Sequence, residues 1–163
     1  MTFDELNSFS YRDFVEAVGW VFEHSPWVAD RVWRCRPFAS LDALHTAMVD
    51  EMNRASIDEQ LRLLRAHPDL GARMKMSDAS VGEQAGAGLD RLAAEQFAQL
   101  QRLNADYRAK FDFPFLFAVK GSTPVRILEA LQQRLPRDRP AEFAEAKRQV
   151  AAIARFRLED SLS

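Results

Sequence analysis

His67 is followed by Pro68, Asp69, Leu70 and Gly71, and this run sets a titratable imidazole where a helix has to stop. Proline disfavours the α conformation in the residue before it, so the helix carrying Leu61 and Leu64 is expected to end near Ala66, with His67 in the turn beyond. The exposed carbonyls and negative pole of a helix C-terminus favour imidazolium, which holds the titration near neutral pH, where one group both gives and takes a proton. A histidine in this position also serves simply to cap those carbonyls. Both readings stand on this run alone.

Two other places hold side chains suited to a small polar ligand. Ser80-Val81-Gly82-Glu83-Gln84 offers a hydroxyl, a carboxylate and an amide within one turn at what reads as a helix start, where backbone N–H groups also point outward. Ser-x-x-Glu equally spells a capping box, in which Ser80 and Glu83 satisfy each other's backbone donors. Gly86 and Gly88 leave room nearby. Further on, Phe143, Ala146, Val150, Ile153 and Arg157 recur at helical spacing and share one face, so Arg157 falls in an apolar stripe. At about 100° per residue Arg155 lies on the opposite side as a solvated charge. Arg157 either snorkels to water or uses its planar fork of donors on a carboxylate, urea or imide, because burying it without such a partner is costly.

Composition narrows the chemistry. The chain has 163 residues, and its 22 basic and 24 acidic side chains nearly cancel, with no Lys/Arg patch interleaved with aromatics. No nucleic-acid partner is expected, which leaves small solutes or protein surfaces. His24, His45 and His67 are the only histidines, Cys35 is the only cysteine, and none stands at a metal-ligand spacing, so no metal is expected. A lone cysteine forms no internal disulfide, and Met1-Thr2-Phe3-Asp4-Glu5 lacks a basic stretch followed by an apolar one, so a cytoplasmic location is expected. No apolar run is long enough to span a bilayer, and Ser161-Leu162-Ser163 is not a peroxisomal address.

The elements that must position these residues are helical. Apolar positions recur at three and four, and period-two alternation with β-branched residues is scarce. An all-α single domain over residues 1–163 is expected, with about eight to nine helices. Thr2 with Glu5 forms a capping box; Ser10 caps a helix presenting Phe14, Val18 and Phe22; Pro26 suits the first turn of a third. Ser40 caps a helix with Leu41, Leu44, Met48 and Met52 in register, and the next starts at Ser56 or Asp58. Asp69 to Ala79, with Gly71, Met74, Met76 and Asp78, reads as a loop or broken turn, followed by a short helix from Ser80. Asp90 opens the longest clear helix, with Phe97, Leu100, Tyr107 and Phe111 inward and Asn104 among them in need of a partner. Residues 113–119 are too apolar for an exposed loop and form a buried extended or turned segment that Gly121 ends. Thr123 and Pro124 start a helix with Ile127, Leu128 and Leu131 inward, and Asp138 caps the last helix, which runs toward Leu158.

Taken together, the motifs resemble the 2-oxo-4-hydroxy-4-carboxy-5-ureidoimidazoline (OHCU) decarboxylase family. The likeness rests on His67-Pro68-Asp69-Leu70-Gly71, Ser80-x-x-Glu83-Gln84 with Ala87-Gly88-Leu89, and Leu103-Asn104-x-x-Tyr107-x-x-Lys110-Phe111-x-Phe113-Pro114-Phe115. It continues through Lys120-Gly121, Arg134-Leu135, Glu142 with Ala146, and Arg157-Leu158, most of the chain beyond the first helices. Asp112 stands where the family commonly has glycine.

The resemblance implies a carboxy-lyase converting the ureidoimidazoline to (S)-allantoin in urate degradation. It implies His67 as catalytic proton donor with Glu83 acting beside it, and Pro68 next to the substrate. It implies binding by Ser80, Val81, Gly82, Glu83 and Gln84, by the backbone of Phe115, Leu116, Phe117, Ala118 and Val119, and by Arg157 as anchor. No cofactor is implied, because the substrate's own conjugated imine and carbonyl accept the electron pair that departing CO2 leaves behind. A homodimer is implied, to which Trp20, Trp27 and Trp33 could contribute, although core burial is the commoner use of tryptophan. A helical interaction module without activity, or a hydrolase or isomerase of another ureide, would show the same residues.

Overall fold

The computed structural model describes residues 1–72 and 77–162, and among them the chain forms nine α-helices and no strand. It groups into two units, residues 1–66 with 151–163, and residues 67–150. The helical reading is borne out, and so are most helix starts, because each cap is a local hydrogen bond that the sequence spells directly.

In the first unit, α1 (Phe3–Ser8) opens on the Thr2–Glu5 capping box and α2 (Tyr11–Val18) on Ser10, whose hydroxyl accepts from Asp13 N–H. α2 stops at Val18 and a short 3-10 turn (Gly19–Val21) follows, so Phe22, expected on the helix, lies beyond it in extended backbone, though still buried. Pro26 caps α3 (Trp27–Val32) from just outside its first turn. α4 (Leu41–Arg54) starts at Ser40 and buries Leu44, Met48 and Met52. α5 (Ile57–Arg65) opens on a second capping box, Ser56 with Glu59, and ends with Ala66 as its C-cap, as Pro68 dictates. Each fully buried Leu, Met or Phe here contributes about 1.5–3 kcal/mol.

In the second unit, α6 (Asp78–Gly86) begins earlier than expected, with Ser77 as N-cap accepting from Ser80 N–H at 3.2 Å. The Ser80–Glu83 capping box is therefore overturned: Ser80 already stands inside the helix. Of the expected loop from Asp69 to Ala79, residues 73–76, including Met74 and Met76, lie outside the described residues. α7 (Ala94–Phe111) starts at Ala93 rather than Asp90, and α9 (Arg139–Ser161) exceeds it in length, 23 residues against 18. Asp112 closes α7 in the left-handed conformation (φ 63°), the geometry for which glycine is the usual occupant. α8 (Pro124–Arg134) has Thr123 as cap and proline at its first position, with Ile127, Leu128 and Leu131 buried.

Residues 113–119 form neither helix nor strand, yet Phe113, Pro114, Phe115, Leu116 and Val119 are buried. An aromatic cluster holds them, with the Tyr107 ring 4.4 Å from Phe111, 6.0 Å from Phe113 and 5.4 Å from Phe115. The buried face of α9 is rotated slightly from the expected stripe. Ala146, Val150, Ala154 and Leu158 are its buried apolar positions, whereas Phe143 and Ile153 sit at its margin.

Candidate active site

His67 begins the second unit in a bend just after α5 and is 6% exposed, Pro68 beside it half-buried. The turn it opens is clamped from α6 and α7. Gln84 Oε1 accepts from Gly71 N–H at 2.9 Å, Asn104 Nδ2 donates to the Leu70 carbonyl at 2.9 Å, and Arg108 Nη2 reaches Asp69 Oδ1 at 2.9 Å. Two of these bonds are buried, where a lost partner costs about 1–3 kcal/mol. Gly71 takes φ +73°, so the turn favours glycine for its conformation, and a Cβ there would have to displace Leu100 Cδ2, 2.7 Å away. Asn104, expected to need a partner, finds it in the backbone of this turn.

α6 sorts the Ser80–Gln84 run by helical phase. Ser80 and Gln84, four residues apart, are 5% and 7% exposed, while Val81 and Gly82 face outward and Glu83 lies at the border. The structure therefore brings Gln84 to the His67 turn and sets Ser80 on the same helix face. Because the run is interior to the helix, backbone N–H groups at a helix start belong instead to Ser77–Ser80.

The Phe115–Val119 segment is fixed through its backbone. Arg134 Nη1 donates to the Leu116 carbonyl at 2.7 Å, and Gln149 Oε1 accepts from Ala118 N–H at 2.9 Å. Phe115 stacks on Phe117 (6.0 Å, 15°), and the Arg134 guanidinium covers the Phe115 ring at 4.5 Å. Behind the segment lies a buried ionic network. Glu142, 0% exposed, receives Arg134 Nε at 2.8 Å and the Tyr107 hydroxyl at 2.5 Å on Oε1, and Arg137 lies 3.0 Å from Oε2. Burial, reinforced by the hydrogen bond to Glu142, pushes the Tyr107 phenol well above its ordinary pKa, so it remains a donor. Desolvating Glu142 is offset by two cations and a hydroxyl.

Arg157 lies in the first unit and is 3% exposed, so of its two readings the one in which it snorkels to water is overturned. Its Nη2 pairs with Glu23 Oε2 at 2.8 Å, and its Nη1 donates to the carbonyls of Trp20 (3.2 Å) and Val21 (3.4 Å). Arg155, two residues earlier, pairs with Asp42 and Glu159 at the surface. Glu23 is the site residue that sequence reasoning missed. Its signal was an acid directly after the apolar run Val21-Phe22, a place where a carboxylate is buried only beside a cation. Trp20 is 41% exposed rather than core.

Among the described residues no group of three or more His, Cys, Asp or Glu could hold a metal ion, and no helix is long and apolar enough to cross a membrane.

The sequence and the fold have counterparts among known proteins. The OHCU decarboxylase family profile matches residues 7–159. The chain is 48% identical over 160 residues to the 2-oxo-4-hydroxy-4-carboxy-5-ureidoimidazoline decarboxylase of Halalkalicoccus jeotgali, covering 98% of this chain and 91% of that one. It is 45% identical over 163 residues to the protein of the same name from Haloferax volcanii, covering 100% and 97%. Among solved structures it resembles an (S)-allantoin synthase, with TM-score 0.83 and 29% identity over 99% of this chain and 54% of that one. It also resembles an OHCU decarboxylase crystallised in the presence of (S)-allantoin, with TM-score 0.69 and 25% identity over 82% and 89%. The chain belongs to the OHCU decarboxylase family.

Proposed function

We propose that this protein is a carboxy-lyase that decarboxylates 2-oxo-4-hydroxy-4-carboxy-5-ureidoimidazoline to (S)-allantoin, a step of urate degradation, without a cofactor. Chain-long likeness to the family supports the reaction. The observation that carries the assignment of its chemistry is His67, buried in a turn that Gln84, Asn104 and Arg108 fix.

In this reading the bond from the ring to the carboxyl carbon breaks, CO2 leaves, and its electron pair enters the conjugated imine and carbonyl of the ring. His67 then delivers a proton from one face to the neighbouring ring carbon that bears the ureido group, which sets the configuration of the product, while the hydroxyl on the decarboxylated carbon loses its proton and becomes the carbonyl. Glu83 keeps His67 protonated or orients the substrate hydroxyl. Pro68, Ser80, Val81, Gly82 and Gln84 contact the substrate, as does the Phe115-Leu116-Phe117-Ala118-Val119 backbone. Arg157 holds the part of the substrate that is retained, because a tight grip on the departing carboxylate would stabilise the ground state more than the transition state. The protein acts in the cytoplasm as a homodimer, a state that light scattering at working concentration tests.

The deciding experiment adds the protein to freshly generated ureidoimidazoline and follows CO2 release and the chirality of allantoin. Accelerated CO2 release with one enantiomer supports the reading. Racemic allantoin at the spontaneous rate overturns it, and a ureide hydrolase or isomerase would show itself by conversion without CO2.

A further inference from the structure

The carboxylate paired with Arg157 changes what that arginine can recognise. Glu23 is 1% exposed and Arg157 3%, and their contact at 2.8 Å is joined by two backbone carbonyls on Nη1. A guanidinium alone in a buried setting is a full positive charge and seeks an anion. Beside a buried carboxylate it is half of a neutral pair: its N–H groups stay polarised, but a ligand close by meets the fields of both partners, which largely cancel.

We propose that Glu23 is a positioning residue that sets the plane of Arg157 and neutralises it, making this anchor selective for an uncharged ureido or imide carbonyl over a carboxylate. The inference rests on the reading of Arg157 as substrate anchor. It supplies the physical reason why that anchor would hold the retained part of the substrate: the departing carboxylate gains little at a charge-balanced pair. The carbonyls of Trp20 and Val21 strengthen the effect, since they direct Nη1 and add partial negative charge beside it. His24 Nε2 is 3.5 Å from Glu23 Oε1 and is a second titratable group touching the pair. It sits at φ 47°, a conformation asparagine tolerates, so His24→Asn removes the imidazole without asking for a new backbone.

The test measures inhibition constants for two ureides of similar size, neutral (S)-allantoin and anionic allantoate, in the His24→Asn protein with and without Glu23→Gln. Unmasking the guanidinium should tighten allantoate relative to allantoin by roughly tenfold. An unchanged ratio, with the parent protein active, overturns the inference. Because Glu23→Gln leaves Arg157 buried without its counter-charge and could impair folding, a second variant replaces both residues, Glu23→Met with Arg157→Met, a swap that buried ion pairs often tolerate. There, allantoin and allantoate should weaken by the same factor. A larger loss for allantoate means Arg157 acted as a net cation and overturns the inference. Loss for neither ligand refutes Arg157 as anchor and the inference with it, while decarboxylation by the unmodified protein would leave the proposed reaction standing.

Discussion

Gln84 and Gly71 are joined by a buried hydrogen bond, the side-chain Oε1 accepting from the backbone N–H at 2.9 Å. Gln84 therefore fixes the turn that carries His67, apart from any contact with substrate. Gln84→Leu should cost about 1–3 kcal/mol, because Gly71 N–H stays buried without an acceptor. That corresponds to a fall of roughly 3–10 °C in Tm. Gln84→Glu keeps an acceptor oxygen, so it should hold Tm nearer the parent while raising KM. A Gln84→Leu protein that melts with the parent would show that the turn stands without this bond.

His67→Asn preserves size and polarity but removes the transferable proton. Turnover should fall by about two to four powers of ten with KM changed far less. Residual allantoin should lose enantiomeric purity, which circular dichroism of the product reads directly. Near-normal production of one enantiomer would rule His67 out as proton donor.

Tyr107 gives the protein an alkaline weakness. Its folded-state pKa lies above the unfolded value of about 10, so the folded state binds the proton more tightly. The stabilisation is fully present below pH 10 and is lost as pH rises toward the folded pKa. Tyr107→Phe should therefore be less stable at pH 8, by about 1.5–3 kcal/mol for a hydrogen bond to a charged group, but should lose less between pH 10 and 12. Denaturant unfolding across that range checks it; parallel declines in the two proteins would contradict the assignment.

Asp112→Gly should stabilise the protein by about 0.5–1 kcal/mol, because the left-handed φ of 63° at the end of α7 suits glycine better than any residue with a Cβ. Asp112→Val should lower Tm instead. Thermal melts of the three proteins test the ordering.

What the sequence revealed follows from range. Thr2, Ser10, Ser40, Ser56, Thr123 and Asp138 act within three residues of themselves, so their caps were legible. The His67 turn was legible because Pro68 disfavours continuation of the helix through His67. Ser77 was missed since Ser80-x-x-Glu83 spells an equally good cap, and only the fold decides between two local solutions. Glu23 was missed because its partner lies 134 residues away, so the acid after Val21-Phe22 could be noticed but not paired. The α9 stripe was misjudged by about one position, because Ala154 and Ile153 are both apolar and packing alone distinguishes them. The family likeness identified Tyr107, Arg134 and Glu142 as motif positions, but their common role appeared only when three separate segments were seen to meet.

That meeting bears on how the family diverges. A lineage that exchanged Arg134 for a neutral residue would leave the buried Glu142 to Arg137 and the Tyr107 hydroxyl, and release the Leu116 carbonyl at the same stroke. Single steps away from this trio pass through poorly folded ancestors, so the three positions should drift together or stand still, and relatives that differ at one should carry a compensating change at another.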